Sequence, residues 1–118
     1  MGRLTTHILD TANGSPAAGV RIDLLSVSPD GSLQVIASVT TNNDGRCDEP
    51  LLEGDAFSPG VYELRFYVGE YFSGAGGGAA SQAFLDIVPV RFGISAADEH
   101  YHVPLLISPF GYSTYRGS

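Results

Sequence analysis

Hydrophobic and polar residues alternate with period two along most of this chain, the spacing that sends successive side chains to opposite faces of a strand. RLTTHILD at 3–10 groups Leu4, Thr6 and Ile8 on one face and Thr5, His7 and Leu9 on the other, and it stops at the turn-forming TANGSPAAG. VRIDLLSV sets Val20, Ile22 and Leu24 against Arg21 and Asp23. The Pro-Asp-Gly of SPDG (28–31) then predicts a hairpin into SLQVIASVTT, where Leu33, Val35, Ala37 and Val39 alternate with Ser32, Gln34 and Ser38. NNDGRCDEPLLEGDAFSPG reads as loop, with a very short strand at 50–53. VYELRFYV alternates again, Tyr62, Leu64, Phe66 and Val68 against Glu63 and Arg65. FLDIVPVRFGI, HYHVPLLIS and FGYSTYRGS supply the remaining strands.

A helix fits in one place, EYFSGAGGGAASQA, whose first half has the length for a turn or two. Its glycines (Gly69, Gly74, Gly76, Gly77 and Gly78) argue for a flexible, disordered loop tip, so residues 74–80 read as an insertion. A phosphate-cradling loop would need Gly-Lys-Ser/Thr opening a helix behind a strand, and that pattern is absent. Seven or eight short strands punctuated by turns predict one all-β domain over residues 1–118, a sandwich of the immunoglobulin-like kind. Such a sandwich leaves edge strands that pairing between subunits would hide.

Charge narrows the choice of partner. The net charge is −7 and the pI is near 4.6, which argues against nucleic acid held by phosphate contacts. All 6 cationic side chains are arginines (Arg3, Arg21, Arg46, Arg65, Arg91, Arg116), so lysine Schiff-base chemistry is excluded and some of these forks are expected to grip planar groups. The lone Cys47 forms no internal disulfide and reads as a small buried hydrophobe or a tolerated surface thiol. No basic leader and no 18-residue apolar run is visible, so a cytoplasmic protein without membrane association is expected.

Polar residues that break the pattern mark a candidate site. His7 falls on the outer face of its strand, and His100 and His102 share a face opposite Tyr101, Val103 and Leu105. Each histidine taken singly reads as solvated, and the i, i+2 pair lacks a third ligand spaced for a metal, so neither metal nor cofactor is expected. Arg46 follows NNDG, where the glycine frees the backbone to aim the next side chain. Imidazoles, a guanidinium, a phenol and a carboxylate on one surface would suit a planar, nitrogen-rich molecule and would move protons near neutral pH.

LTTHILD near the start, DGR at 44–46 and EHYHVPLLISPFGYSTYRGS at 99–118 resemble the transthyretin-related 5-hydroxyisourate hydrolases. The resemblance runs the whole chain, the Gly-rich stretch around 74–80 departing from it, and the terminal Tyr-Arg-Gly-Ser is the hydrolase hallmark. It implies a transthyretin-like sandwich of two four-stranded sheets with one short helix. It further implies a homotetramer, a dimer of dimers whose sites lie in the channel between dimers. The implied reaction opens the six-membered ring of 5-hydroxyisourate to 2-oxo-4-hydroxy-4-carboxy-5-ureidoimidazoline, a step of urate breakdown. Carried over by position, the catalytic set is His7, Arg46, His102 and Ser118, with substrate bound by His7, Arg46 and Tyr115. His7 and His102 would position and deprotonate water, Arg46 would clamp substrate oxygens, and the Ser118 hydroxyl or carboxylate would orient the cluster. Which histidine is the base stays open. His100 is expected at the rim, and Arg116 to pair with a neighbouring acid and fix the tail. The last strand would edge the channel, which an extension would fill. The alternative is a carrier of thyroid-hormone type, since transthyretin shares the fold.

Overall fold

The computed structural model describes residues 2–74 and 82–117. The alternating runs form strands β1 (Arg3–Asp10), β2 (Ser15–Pro16), β3 (Arg21–Val27), β4 (Leu33–Thr40), β5 (Leu52–Glu53), β6 (Gly60–Phe66), β7 (Val88–Ile94), β8 (His100–Ser108) and β9 (Gly111–Thr114). Among the described residues one α-helix, α1 (Val68–Gly74), and a 3-10 turn at Gly54–Ala56 interrupt them. Two sheets result, one ordered β2-β1-β8-β9 with β5 also paired to β1, the other β4-β3-β6-β7.

The count differs from two four-stranded sheets, and the reason is local. β2 pairs with Leu9 and Asp10 at one end of β1, and β5 pairs with Arg3 and Leu4 at the other. Because β8 occupies the opposite edge of β1, this first rank is a single strand position broken into two short pieces. Their partners face each other across the core: Leu4, Ile8, Tyr101, Val103, Leu105 and Ile107 from the first sheet meet Ile22, Leu24, Tyr62, Leu64 and Phe66 from the second.

Four expectations shift. The strand after Gly60 ends at Phe66, and Val68 instead opens α1, where it is fully buried. The strand in FLDIVPVRFGI begins only at Val88, leaving Phe84 exposed and packed on Phe110 with ring centroids 6.0 Å apart. β9 ends at Thr114, so Tyr115 and Arg116 lie beyond the last strand rather than in it. Leu33 and Val35 are exposed although they alternate, because a bulge sets Ala37 opposite Leu24 but Val35 opposite Leu25, so beyond Ile36 these side chains turn away from the core. The Gly-rich segment 75–80 lies outside the described residues.

α1 is tied to the strand that carries His7. The Asp10 carboxylate, buried at the end of β1, accepts the Tyr71 hydroxyl at 2.6 Å, the Asn13 amide at 2.7 Å and the backbone N–H of Ala12 and Asn13 at 3.0 Å each. Burial pushes this carboxyl up, but the hydrogen bonds together hold it below the usual carboxylate range. The Tyr71 phenol is pushed up to about 12, by burial first and then by Asp10. Tyr71→Phe removes one charge-assisted bond and is expected to lower the unfolding free energy by about 1.5–3 kcal/mol, read from the urea midpoint. An unchanged midpoint would show that the helix is held by packing alone.

Candidate active site

The outward rows of β1 and β8 stand side by side. Their parallel register sets Arg3 beside His100, Thr5 beside His102 and His7 beside Pro104. The alternate residues Leu4, Thr6, Ile8, Tyr101, Val103 and Leu105 are buried, so a one-residue slip would carry the imidazoles into the core. The histidines are therefore placed on the outer face by the same burial that holds the sheet together.

Arg46 reaches this row through a turn that Asn42 builds. The Asn42 side-chain carbonyl accepts the N–H of Asp44 at 2.9 Å and of Arg46 at 3.2 Å, while its amide donates to Asp48 at 2.9 Å. Gly45 adopts φ +74°, and a Cβ there would collide with the Ile8 carbonyl oxygen. Its own carbonyl accepts the Ile8 N–H at 2.8 Å, and the turn thereby makes an isolated bridge between Arg46 and His7.

The chain returns to His102 at its other end. Gly117 donates its N–H to the His102 carbonyl at 2.7 Å, in the same register as the β8–β9 ladder. Ladder bonds alternate along an antiparallel pair, so the next bonded pair would be Pro104 with Tyr115. Proline has no N–H to offer, and the Pro104 carbonyl is taken by the Thr114 hydroxyl at 2.7 Å. The strand breaks there, and Tyr115 and Arg116 diverge. Tyr115 is exposed, whereas Arg116 lies over the Tyr101 ring, 4.0 Å from its centroid, and bonds Glu99 at 2.9 Å. Arg116 thus takes the expected acid partner and ties the tail down.

A hollow of about 310 Å³ results, lined by Arg3, Thr5, Arg46, Glu49, His100 and His102 among others. The two histidines also wall a wider, open hollow bounded by Tyr115, Arg116 and Gly117. Of the arginines, Arg21, Arg65, Arg91 and Arg116 pair with Asp23, Glu63, Glu63 and Glu99. Arg3 and Arg46 make no ion pair with any described residue, and both face the first hollow.

Burial and the Arg46 charge favour the neutral forms of His7 and His102. Burial first, then the positive charge of Arg46, then His100 and His7 hold His102 below its ordinary value. Burial and Arg46 likewise lower His7, partly offset by the Asp44 backbone and carboxylate. Partly buried neutral imidazoles beside a guanidinium with no acid partner among the described residues can accept protons while an anion or carbonyl oxygen is held.

The structure brings His7, Arg46 and His102 to one face and sets Tyr115 at its edge, although His7 borders the first hollow rather than lining it. Ser118 lies outside the described residues. Thr5 carried no signal beyond its place on the His7 face. Its hydroxyl lies 2.8 Å from both His100 Nε2 and His102 Nδ1, contacts across the sheet that only the register reveals. Cys47 is half-buried against the core, and burial raises its thiol.

The family model described as HIUase/Transthyretin family matches residues 4–117. A 5-hydroxyisourate hydrolase of Pseudomonas aeruginosa is 57% identical over 118 residues, spanning 100% of this chain and 93% of its own. The solved structure of Klebsiella pneumoniae 5-hydroxyisourate hydrolase has a TM-score of 0.82 and 34% identity, with 100% of both chains covered. Sea bream transthyretin in complex with thyroxine has a TM-score of 0.86 and 29% identity over 98% of this chain and 94% of its own.

Gly45→Ala puts a methyl against backbone at positive φ and is expected to cost about 2 kcal/mol of stability, measured by urea unfolding. A midpoint equal to that of the parent would mean that the turn relaxes freely and does not fix Arg46. Gly117→Ala would bring a Cβ within 2.9 Å of His102 Cδ2, so its effect is expected in the His102 ring resonances rather than in stability.

Proposed function

This chain belongs to the HIUase/Transthyretin family, and on that premise we propose that it is the enzyme of the pair, a hydrolase that opens the six-membered ring of 5-hydroxyisourate. The observation that carries this reading is the convergence of His102, with His100 beside it, and Arg46, which has no acid partner among the described residues, on one outward face, with His7 bridged to Arg46. A hollow lined by arginines and imidazoles suits a polar, nitrogen-rich ring far better than the apolar rings of a thyroid hormone. The identity to hydrolases, 57% against 29% for the thyroxine-bound transthyretin, points the same way.

Hydrolysis of a ring amide needs a placed water, a neutral base and donors for the oxyanion. His102 and His7 supply the imidazoles, and Arg46 supplies a fork for substrate oxygens. We assign His102 as the base that takes the proton of water, because its Nδ1 is held by Thr5 and its backbone carbonyl by Gly117, leaving Nε2 for the reaction. Tyr115 bounds the substrate from the tail, and Ser118 follows Gly117 directly in the chain. The functional form is taken as a tetramer in which these outward faces meet, with a mass four times the 12.4 kDa of one chain.

With 5-hydroxyisourate generated in place by urate oxidase, the protein is expected to speed the loss of its ultraviolet absorbance beyond spontaneous decay. His102→Asn should lower kcat about a hundredfold or more. Arg46→Lys should lower kcat/KM about tenfold, the worth of one hydrogen bond of the fork. Absence of any acceleration by a folded tetramer would move the reading to a carrier.

The pH profile carries a sign. Both His7 and His102 titrate below the ordinary 6.5, so both are neutral at pH 7 and the acid limb of kcat/KM should have its midpoint below 6.5. A midpoint above that value would contradict His102 as a base set beside Arg46.

A further inference from the structure

A threonine hydroxyl owns one proton, and that count constrains the site. Thr5 Oγ1 stands 2.8 Å from His100 Nε2 and 2.8 Å from His102 Nδ1. It can donate to one imidazole only, so in the neutral state the other ring must donate to it. When His102 Nδ1 donates, its Nε2 bears a lone pair and the Thr5 proton points to His100. When the two bonds reverse, His102 Nε2 bears the proton. The base form and the acid form of His102 thus differ by a shift through Thr5, and the tautomer of His100 changes with them.

We propose that Thr5 and His100 form a proton relay for His102, a role that rests on the hydrolase reading above. In the first step water gives a proton to His102 Nε2, the His102 Nδ1 proton passes to Thr5 Oγ1, and the Thr5 hydroxyl proton moves to His100 Nε2. The hydroxyl is restored, His102 is neutral with its proton on Nε2, and His100 carries the positive charge. In the second step the C–N bond of the ring breaks and His102 Nε2 gives its proton to the leaving nitrogen. The bonds then reverse, His100 Nε2 to Thr5 and Thr5 to His102 Nδ1, and the starting state returns with no proton gained or lost.

The geometry gives the shift a purpose. Burial and the Arg46 guanidinium oppose a lasting positive charge on His102. His100 lies two residues before His102 on β8, beside Arg3 in the register, and walls the open hollow next to the tail together with His102. The charged groups facing the relay are Arg3, Arg46 and Glu49 from the first hollow and Arg116 from the second. Glu49 is the acid among them that pairs with no described cation. The two rings are 6.3 Å apart between centroids, too far for a direct proton exchange and spanned by one hydroxyl. Thr5 is a positioning residue in this scheme, since it acts through His102.

Five enzymes decide the matter: wild type, Thr5→Val, Thr5→Ser, His100→Gln and the Thr5→Val/His100→Gln double variant, each in the full chain. Thr5→Val keeps the shape and loses the hydroxyl. It is expected to lower kcat about tenfold or more with KM changed less than about twofold. Thr5→Ser should recover kcat to within about threefold of wild type, since the relay needs only the hydroxyl. His100→Gln should match Thr5→Val, and the double variant should be no slower than either, as for residues on one path. Thr5→Val at wild-type kcat, Thr5→Ser as slow as Thr5→Val, or losses that multiply in the double variant would each overturn the relay. Imidazole ¹⁵N resonances, recorded without substrate, read the coupling independently of turnover. Thr5→Val should move the nitrogens of both His100 and His102, and a shift in neither would also overturn it. Wild type inactive on 5-hydroxyisourate would instead remove the hydrolase reading, and the relay's role with it.

Discussion

The parallel pairing of β1 with β8 is the constraint on which the site depends. It runs the length of β1, from Arg3 with His100 to Asp10 with Ile107, and joins stretches nearly a hundred residues apart. Burial of Leu4, Ile8, Val103, Leu105 and Ile107 fixes its register. Once that register is set, Thr5 must face His102, and His7 must lie beyond it toward the Arg46 turn. The turn is itself keyed to β1 through the Ile8 N–H and Gly45. Groups distant in sequence are therefore assembled by a hydrophobic decision made on the other face of the sheet.

The strands that matter here were legible because they lie between water and core. In β1 and β8 one face is buried and the other is not, so period two marks both the strand and the outward histidines. The same rule misleads at β4. Alternation in the sequence does not show that a bulge at Ile36 interrupts the pairing with Leu24 and Leu25, so Leu33 and Val35 read as core yet turn to the outer face. Val68 fails for a related reason, since a buried residue just past a strand fits either period. Tetrapeptide and turn residues could be carried over from the family resemblance, which put Arg46 and Tyr115 near the site. Thr5 could not be found in this way. Its role depends on partners 95 and 97 residues away, and a lone threonine in a strand is an ordinary residue.

Arginine use separates the two faces of the molecule. On the second sheet Glu63 is buried between Arg65 at 2.7 Å and Arg91 at 3.1 Å, and Asp23 is held by Ser38, Tyr67 and Arg21. Those charges are satisfied where they stand. On the first sheet Arg46 and Arg3 make no ion pair with any described residue, although Glu49 lines the same hollow. An acidic chain with a net charge of −7 thus keeps a small cationic surface by local pairing, not by overall composition.

Pro104 has an effect on motion as well as on hydrogen bonding. Without its N–H, the ladder between β8 and the chain end cannot unzip as one piece. Gly117 hangs on a single backbone bond, an exposed ion pair and a ring contact, while β9 is held by a continuous ladder up to Thr114. Exposed pairs of this kind add little, so the tail opens at small free-energy cost and the strand does not open with it. Amide exchange along the last residues would accordingly show a step, fast at Gly117 and slow at Ser113, whose N–H faces β8. One imino acid in mid-strand turns the edge of the site into a separately breathing element on a rigid sheet.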